Sequence, residues 1–497
     1  MNPSAAQSRI AELRKAAAAH GDSAQHLRDL ADALLGEGNL DEAINCYKQA
    51  VALRPDVPET HNNMGVALAR AGRMDQALEA YGRALELRPD YAEVHNNLGL
   101  VMCDRRDWNA EIACFNQAVR LKPDFADAHG NLGNALYENG SIDAAIACYR
   151  RALSLRPDSH GTHNNLANAL CALGDFDAAM AATRRSLELN PNFAEAHLSL
   201  SIMLLLQGDL EHGWPEYEWR WKSREHRTPS ANFAQPPWDG SDLNGKRILL
   251  HSEQALGDTI HFVRYAPQLT RRGGKVIVAC QPEMASLLGG ADGVETVVDR
   301  HGALPPFDVH CPLLSLPGMF KTTLRNIPAD VPYLRADETR VRQWLNRIPA
   351  DNRRKVGLVW SGGAHPPGRA VPLEQLARLA EIPNIWFCSL QKGEAAAALR
   401  SSQIQMADWT DELHDFADTA ALVENLDLVI SVDTAVAHLA GAMGKPVWVL
   451  LKFVPDWRWM LQRADSPWYP TMRLFRQSRL GDWKAPIALL TTAVATP

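Results

Sequence analysis

A period of 34 residues constrains the fold of this chain more than any other feature of its sequence. Through the first half, small and apolar residues recur at helical spacing, with a turn such as EGNLDEA between two helices of each unit. One helix pair cannot bury its apolar face alone, so successive pairs must stack into a solenoid. The period is marked by Pro55, Pro89, Pro123, Pro157 and Pro191.

The repeats resemble tetratricopeptide repeats and span residues 24–227 in six units, after a lead-in helix over residues 1–23. The resemblance implies a superhelix whose concave face binds an extended polypeptide. The sixth unit loses the pattern, because Glu225 replaces the periodic proline and the second helix becomes EHGWPEYEWRWKSR. We expect this helix to cap the array by docking its aromatic face on the next domain. The aromatic face consists of Trp214, Tyr217 and Trp221.

A row of asparagines recurs with the same period. A carboxamide both donates and accepts hydrogen bonds, so such a row could hold the backbone of a bound polypeptide without selecting its side chains. The row is similar to that of repeat-bearing O-GlcNAc transferases, which implies acceptor binding. The alternative is that these amides are solvated or bond within the array. The candidate acceptor-binding residues are Asn63, Asn97, Asn131 and Asn165, with Asn134 and Asn168 on the same helix face.

A second periodic position holds histidine. Neighbouring repeats stack about 8 to 10 Å apart, whereas a zinc ion needs nitrogen ligands at about 2.0 to 2.1 Å. The histidines therefore cannot readily share a metal, and we interpret them as packing residues. They are His61, His95, His129, His163 and His197.

The composition excludes several classes of partner. A net charge of −7 gives no general attraction for nucleic acid or an anionic membrane. The sequence has no apolar run of the roughly 20 residues that a membrane span needs, and its first residues lack the apolar core of a signal peptide. No pair of the eight cysteines forms C-x-x-C, which predicts reduced thiols. We therefore predict a cytoplasmic protein.

The second half changes to short apolar runs that alternate with helical stretches. Residues 228–244 form a linker rich in Pro, Gly, Ser and Asn. The runs RILLHS, KVIVAC, VGLVWSG, NIWFCSLQKG, LDLVISVD and KPVWVLL are predicted strands of parallel sheets covered on both faces. A break near residues 328–355 divides this half into two doubly wound Rossmann-type domains, residues 245–345 and 346–497.

Polar residues follow many of these strands. Ligands of doubly wound sheets bind beyond the carboxyl ends of the strands, so these residues are candidates for a site. The first strand leads to Asp258, and LDLVISV ends in Asp433 and Thr434. A helix beginning at Thr434 has unpaired N–H groups that could hold a phosphate. The other strand-end candidates are Ser361, Arg369, Gln391, Lys392 and Arg458.

The segments ALGDTIHFVRYAPQL and SVDTAVAHLAGAMGKP resemble the glycosyltransferase family 9, or heptosyltransferase, pattern on a GT-B fold over about residues 245–490. The resemblance implies that Asp258 is the base and that Asp433, Thr434 and His438 bind the donor. The combination with repeats and with DWRWMLQRADSPWYPTMRLFRQ is similar to bacterial repeat-linked transferases, some of which have relatives that modify flagellin. The fold class is thus α plus α/β, a repeat superhelix followed by a GT-B-like domain pair.

Each candidate residue also has a structural interpretation. Asp258 and Asp433 could simply cap the helices that follow them. Arg369 and Lys392 would neutralise phosphate, with Gln391 and Ser361 as weaker donors. Arg458 would either bind the donor or make a structural cation–π contact. The D-x-D at residues 175–177 lies in a repeat turn, so we expect no metal and no cofactor, and leaving-group charge would be met by the helix and the cations.

Three hypotheses follow. The first is a metal-independent, inverting glycosyltransferase that moves a sugar from a nucleotide sugar to a polypeptide hydroxyl held by the repeats, with flagellin as one candidate acceptor. The second keeps the chemistry but uses a cell-envelope saccharide as acceptor. The third is an inactive repeat scaffold that binds a nucleotide sugar. The sequence does not name the sugar, the nucleotide or the acceptor.

Overall fold

The computed structural model describes residues 3–19, 23–104, 107–223, 233–363, 368–402 and 404–495. Two compact units are formed by residues 1–191 and 192–497. None of the described helices is long and apolar enough to span a membrane.

The first unit is entirely helical. A lead-in helix is followed by five antiparallel helix pairs that stack into a superhelix. Each pair buries small residues, and the first four pairs also bury one large aromatic ring. The fit is close: a Cβ on Gly65 would lie 2.5 Å from the ring of Tyr81. The helices are α1 (Pro3–Ala19), α2 (Ala24–Gly36), α3 (Leu40–Leu53), α4 (Pro58–Arg70), α5 (Met74–Leu87), α6 (Ala92–Asp104), α7 (Trp108–Leu121), α8 (Ala126–Glu138), α9 (Ile142–Leu155), α10 (His160–Ala172) and α11 (Phe176–Leu189).

The periodic histidines of this unit are structural, as the sequence predicts. In each of four repeats, the histidine Nε2 lies 2.9 to 3.2 Å from the carbonyl oxygen of the proline six residues earlier. The described residues contain no cluster of histidine, cysteine or acidic side chains that could hold a metal ion. His197, in the second unit, differs because its ring stacks on Trp219 and its Nδ1 pairs with Glu216. The four repeat histidines are His61, His95, His129 and His163.

The second unit contains two parallel sheets. The four-stranded sheet has the order β3-β2-β1-β4, and the six-stranded sheet has the order β10-β9-β8-β5-β6-β7. The second order is that of a doubly wound Rossmann fold, in which the direction of winding reverses between β5 and β8. The strands are β1 (Arg247–His251), β2 (Lys275–Cys280), β3 (Val294–Asp299), β4 (Val309–Pro312), β5 (Arg354–Val359), β6 (Ile385–Ser389), β7 (Ala407–Asp408), β8 (Leu428–Val432), β9 (Val447–Leu451) and β10 (Met472–Arg476).

Helices cover these sheets, and the central strands β1, β2, β5 and β8 are buried over most of their length. The α-helices are α12 (Ala194–Gln207), α13 (Leu210–Tyr217), α14 (Leu256–Phe262), α15 (Ala266–Arg271), α16 (Pro282–Leu288), α17 (Leu316–Met319), α18 (Glu338–Leu345), α19 (Phe416–Glu424), α20 (Ala435–Ala442) and α21 (Lys484–Ala495). The 3-10 helices span Glu218–Lys222, Val263–Tyr265, Leu313–Ser315, Leu373–Glu381, Glu394–Ser401, Thr410–Glu412 and Trp457–Trp459.

The helices of the sixth repeat dock on the α/β part of this unit, which confirms the expectation of a capping helix. Trp214 is buried, and its Nε1 donates to the carbonyl of Thr322 at 2.8 Å. Arg220 follows α13 and makes a buried, bidentate ion pair with Glu253 through bonds of 3.1 and 2.9 Å. Because both side chains are almost fully buried, this pair fixes the repeat helices to the loop that follows β1.

Replacing Arg220 with alanine should lower the free energy of unfolding by about 3 to 5 kcal/mol, because it leaves the Glu253 carboxylate buried without its counter-ion. Urea unfolding followed by tryptophan fluorescence measures this change. The matched control is Arg342→Ala, which removes an exposed ion pair with Glu338 and should cost less than about 1 kcal/mol. Equal effects of the two substitutions would show that the buried pair does not anchor the repeat helices.

Candidate functional site

A cavity of about 780 Å³ opens where the winding of the six-stranded sheet reverses. Strands β5 and β8 are neighbours there, and the chain leaves their carboxyl ends in opposite directions. The lining includes Ser361 and Gly362 after β5 and Thr434 at the end of β8. Leu256 and Glu283 reach the same cavity from the four-stranded half. The cavity thus occupies the crevice in which doubly wound folds bind their ligands.

Helix α20 begins at this cavity without a side-chain cap. Thr434 occupies the N-cap position, but its Oγ1 bonds to Ser431 Oγ at 2.9 Å and accepts no amide of the first turn. Thr434, Ala435 and Val436 all line the cavity. The first amides of a helix carry a partial positive charge, so this arrangement suits an anionic group such as a phosphate.

Asp433 lies beside that helix start and is nearly buried. Burial, together with the negative charge of Asp456, raises the pKa of Asp433 to about 6, while Arg369 acts in the opposite direction. Arg369 donates to the carbonyl oxygens of Asp433 and Gly363, each at 3.3 Å. It therefore bridges the loops that follow β8 and β5, and brings a positive charge to the crevice.

Gln391, Ser361 and Lys392 meet at the cavity, but much of their bonding capacity is used within the protein. Gln391 Oε1 accepts the amides of Trp360 and Ser361 at 3.1 and 2.7 Å, and its Nε2 donates to the carbonyl of Lys392. Lys392 Nζ donates to the carbonyl of Leu413. Gln391 thus ties the loop after β5 to the loop after β6, and the predicted contact of these residues with a donor stays a prediction.

Arg458 lies in a buried cluster of carboxylates and aromatic rings. Its guanidinium is buried, donates to Asp258 Oδ1 and bonds to Asp456 at 2.9 Å. It also lies over the rings of Trp457 and Phe262, at 4.3 and 5.3 Å from their centroids. With its charge met by two carboxylates, Arg458 has the structural role that the sequence left as an alternative, and it does not supply a free charge for a donor.

Asp258 makes two hydrogen bonds to protein groups, and it is not among the residues that line the cavity, although Leu256, two residues earlier, is. Its Oδ2 accepts the amide of Ala255 at 3.0 Å, and its Oδ1 accepts from Arg458. Burial raises the pKa of Asp258, and the guanidinium of Arg458 opposes that shift. A carboxylate has about four acceptor sites, so two bonds leave capacity for a substrate hydroxyl.

His438 lies in the packed contact between α14 and α20. Its Nδ1 is 2.9 Å from Tyr469 Oη, and its ring stacks on Trp459. Burial holds the pKa of His438 well below its ordinary value. A Cβ on Gly257 would lie 3.1 Å from His438 Cδ2, so the two helices approach closely. A neutral, packed His438 positions the start of α20, and the predicted contact of His438 with a donor stays a prediction.

Sequence reasoning missed several residues of this region. Asp456 follows the end of β9, as the predicted candidates follow other strands, and that signal could have found it. Glu283 and Leu256 come from the four-stranded half, and His414 follows a short 3-10 helix. Their place at the cavity depends on how the two sheets meet, which no local pattern records.

The asparagine row of the first unit bonds largely within the array. Asn97 and Asn131 each donate through Nδ2 to the asparagine Oδ1 of the preceding repeat, at 2.9 Å. Asn63 donates to Asp32, and Asn165 donates to Asn134, which also accepts from Tyr149. Asn168 lies one turn beyond Asn165 on α10. These bonds agree with the alternative interpretation, and acceptor binding by the row stays a prediction.

Comparison with known proteins covers both parts of the chain. The TPR repeat family model matches residues 31–72, 67–105, 104–140 and 133–174, and the tetratricopeptide repeat model matches residues 161–193. The glycosyltransferase family 9 (heptosyltransferase) model matches residues 381–451. That segment contains Asp433, Thr434 and Lys392, and it excludes Asp258.

Among curated proteins, Protein FlbA of Caulobacter vibrioides (strain ATCC 19089 / CIP 103742 / CB 15) is 27% identical over 310 residues, which are 57% of this chain and 52% of FlbA. The chain thus spans about half the length of that relative. Among solved structures, MamA is 25% identical with a TM-score of 0.30, over 33% of this chain and 95% of MamA. The TPR protein TTC0263 of Thermus thermophilus is 22% identical with a TM-score of 0.32, over 37% of this chain and 100% of its own. The chain therefore carries N-terminal tetratricopeptide repeats followed by a glycosyltransferase family 9 domain.

Proposed function

We propose that this protein is a metal-independent, inverting glycosyltransferase that moves a sugar from a nucleotide-sugar donor to a hydroxyl of a polypeptide held by the repeats. The observation that carries the proposal is the uncapped start of α20 in the crevice between β5 and β8, inside the segment that matches the family model. The resemblance to repeat-linked transferases makes flagellin one candidate acceptor.

The donor would bind in the cavity with its phosphates at the first turn of α20. Arg369 and Lys392 bring positive charge to the loops around this turn, and the helix dipole adds to their effect. Together these groups would stabilise the negative charge that develops on the departing nucleoside diphosphate. The apolar side chains of Leu390, Leu413 and Phe416 line the same cavity and suit the face of a nucleotide base.

Asp258 would accept the proton of the attacking hydroxyl. In an inverting transfer, the bond from the sugar C1 to the new acceptor oxygen forms as the bond from C1 to the phosphate oxygen breaks. The electron pair leaves with the nucleoside diphosphate, and the hydroxyl proton passes to Asp258. Leu256, two residues earlier, lines the cavity, and this proximity supports the role of Asp258.

One observation favours the scaffold alternative. Both carboxylate oxygens of Asp258 already accept hydrogen bonds from protein groups. If those bonds are the whole role of Asp258, the domain would bind a nucleotide sugar without transferring the sugar. Replacing Asp258 with asparagine separates the two functions, because only sugar transfer needs a proton acceptor at this position.

Replacing Asp258 with asparagine should reduce kcat for sugar transfer by about 10²- to 10⁴-fold, because the amide cannot take a proton from the acceptor. Donor affinity should stay unchanged, since of the two substrates Asp258 would contact only the acceptor, and Arg458 keeps its bond to Asp456. Transfer is measured with radiolabelled UDP-, GDP-, ADP- and CMP-sugars, and donor affinity by calorimetry. The control, Asp242→Asn, changes an exposed carboxylate of the same half. Wild-type turnover in Asp258→Asn would rule out this base.

A negative charge at the start of α20 should weaken nucleotide binding. Val436 lines the cavity in the first turn, so Val436→Glu would place a carboxylate beside the proposed phosphates. The control Val436→Gln introduces a side chain of nearly the same shape as glutamate but without its charge. We expect the Glu variant to bind the nucleotide about tenfold more weakly than the Gln variant, an effect of about 1.4 kcal/mol, and to recover in high salt. Equal affinities would place the phosphates elsewhere.

The buried Asp433 should destabilise the ligand-free protein at neutral pH. Its pKa is about 6 when folded and about 3.9 when unfolded, so the folded state binds more protons between those values. Stability of the wild type should therefore fall as pH rises from about 4 to 6. Asp433→Asn should be more stable by about 3 kcal/mol at pH 7 and equal to wild type below pH 4. A pH-independent difference in urea unfolding would contradict this.

A further inference from the structure

The bonding pattern of the asparagine row differs between its middle and its ends, since Asn63 and Asn165 donate to residues 31 positions earlier. Asn97 and Asn131 donate to Oδ1 of Asn62 and Asn96, which precede them by 35 residues. The corresponding acceptor for Asn165 would stand at position 130, where the sequence has glycine. Asn165 therefore donates at 2.8 Å to Asn134, one turn further along α8.

Two other positions beside Gly130 also carry smaller residues than most other repeats. Gly161 stands where four other repeats have an acidic residue, and Ser159 stands where the same four have a valine or an aromatic ring; the first repeat has Gln25 and Ser23 there. All three residues line a cavity of about 200 Å³ between α8 and α10. The acidic residues are Glu59, Glu93, Asp127 and Glu195; the larger apolar residues are Val57, Tyr91, Phe125 and Phe193.

We propose that this cavity is a side-chain subsite that takes an asparagine or glutamine side chain of a polypeptide bound in the repeat groove. The inference rests on the proposed function, because it assumes that the groove holds the acceptor polypeptide. The cavity, with a volume of about 200 Å³, accommodates a side chain of several heavy atoms, since a water molecule takes about 30 Å³ in the liquid. Asn62, Asn96 and Asn164 fill the position of Gly130 in the neighbouring repeats. The subsite would therefore select the side chain of one residue of the bound polypeptide.

The lining matches a carboxamide in its hydrogen-bonding groups. Asn134 Oδ1 accepts two bonds within the array, and the Nδ2 of that residue faces no acceptor among the bonds of the described residues. Asn131 and Asn165 each donate one bond to the array through Nδ2 and keep Oδ1 as an acceptor. The cavity therefore presents donors and acceptors together. A carboxamide offers one acceptor oxygen and two donor hydrogens in one plane, which meets both needs.

The charges at the cavity disfavour an ionised side chain. Asp127 and Arg156 line it as a bidentate pair, with bonds of 2.5 and 3.0 Å. Each charge is met by the other, and both side chains are about half exposed, so a bound carboxylate or ammonium would gain no free counter-ion here. An apolar side chain would leave the asparagine amides without partners. An uncharged polar side chain avoids both costs.

The test uses the full chain and pools of degenerate 12-residue peptides, each pool with one fixed residue at its centre. Gly130→Asn restores the residue of the other repeats, and a Cβ there would meet only Thr162 Oγ1, at 3.9 Å. The variant should therefore fold and fill the cavity. Gly82→Asn is the matched control, because Gly82 lies on α5 with open space around its Cβ position. Binding is measured by fluorescence anisotropy.

We expect the wild type and Gly82→Asn to bind the asparagine and glutamine pools about fivefold more tightly than the alanine pool, and Gly130→Asn to bind all three equally. Equal binding of every pool to the wild type, or a preference that survives in Gly130→Asn, would overturn the subsite and leave the polypeptide groove intact. Tightest binding of an aspartate or lysine pool would overturn the carboxamide. If the wild type binds no pool, the groove fails, and the subsite fails with it.

Discussion

A buried cluster of charges joins the two sheets of the second unit, and the geometry of the candidate site depends on it. Arg458 follows β9 in the six-stranded half, and it pairs with Asp258 at the start of α14 in the four-stranded half. It also pairs with Asp456, so one guanidinium faces two carboxylates in a buried place. Removing Arg458 would leave both carboxylates without their counter-ion. The cluster therefore fixes α14 against the segment that follows β9.

The same cluster shows how one residue serves both packing and the proposed chemistry. Asp258 is held by Ala255 and Arg458, so its carboxylate is oriented before any substrate arrives, which is what a pre-organised base requires. A guanidinium beside a carboxylate reduces its basicity, whereas burial increases it. Burial is the larger effect at Asp258, and the pKa is raised. The side chain can thus be an anchored member of an ion pair and still accept a proton.

The sequence predicted the centres of the two sheets and missed their edges. All six predicted strands are present, and they include every interior strand. The four strands that were missed, β3, β4, β7 and β10, are the four edge strands. Interior strands of a parallel sheet are buried on both faces and read as continuous apolar runs. Edge strands lack that signal, as the largely exposed β3 and the two-residue β7 show, so local patterns do not separate them from loops.

For the site, the sequence indicated which residues stand at strand ends but not which of their bonding groups are already used. Thr434 and Lys392 could be placed at the crevice from strand order alone. The structural role of Arg458 depends on Asp258, 200 residues away, and that of Gln391 on Ser361 across the sheet. Such pairings are products of the fold. The repeat array differs from the candidate site in this respect, because each of its residues can be compared in the sequence with the equivalent residues of the other repeats. Gly130 departs from its equivalents in the sequence itself, and the structure adds only that the departure leaves a cavity.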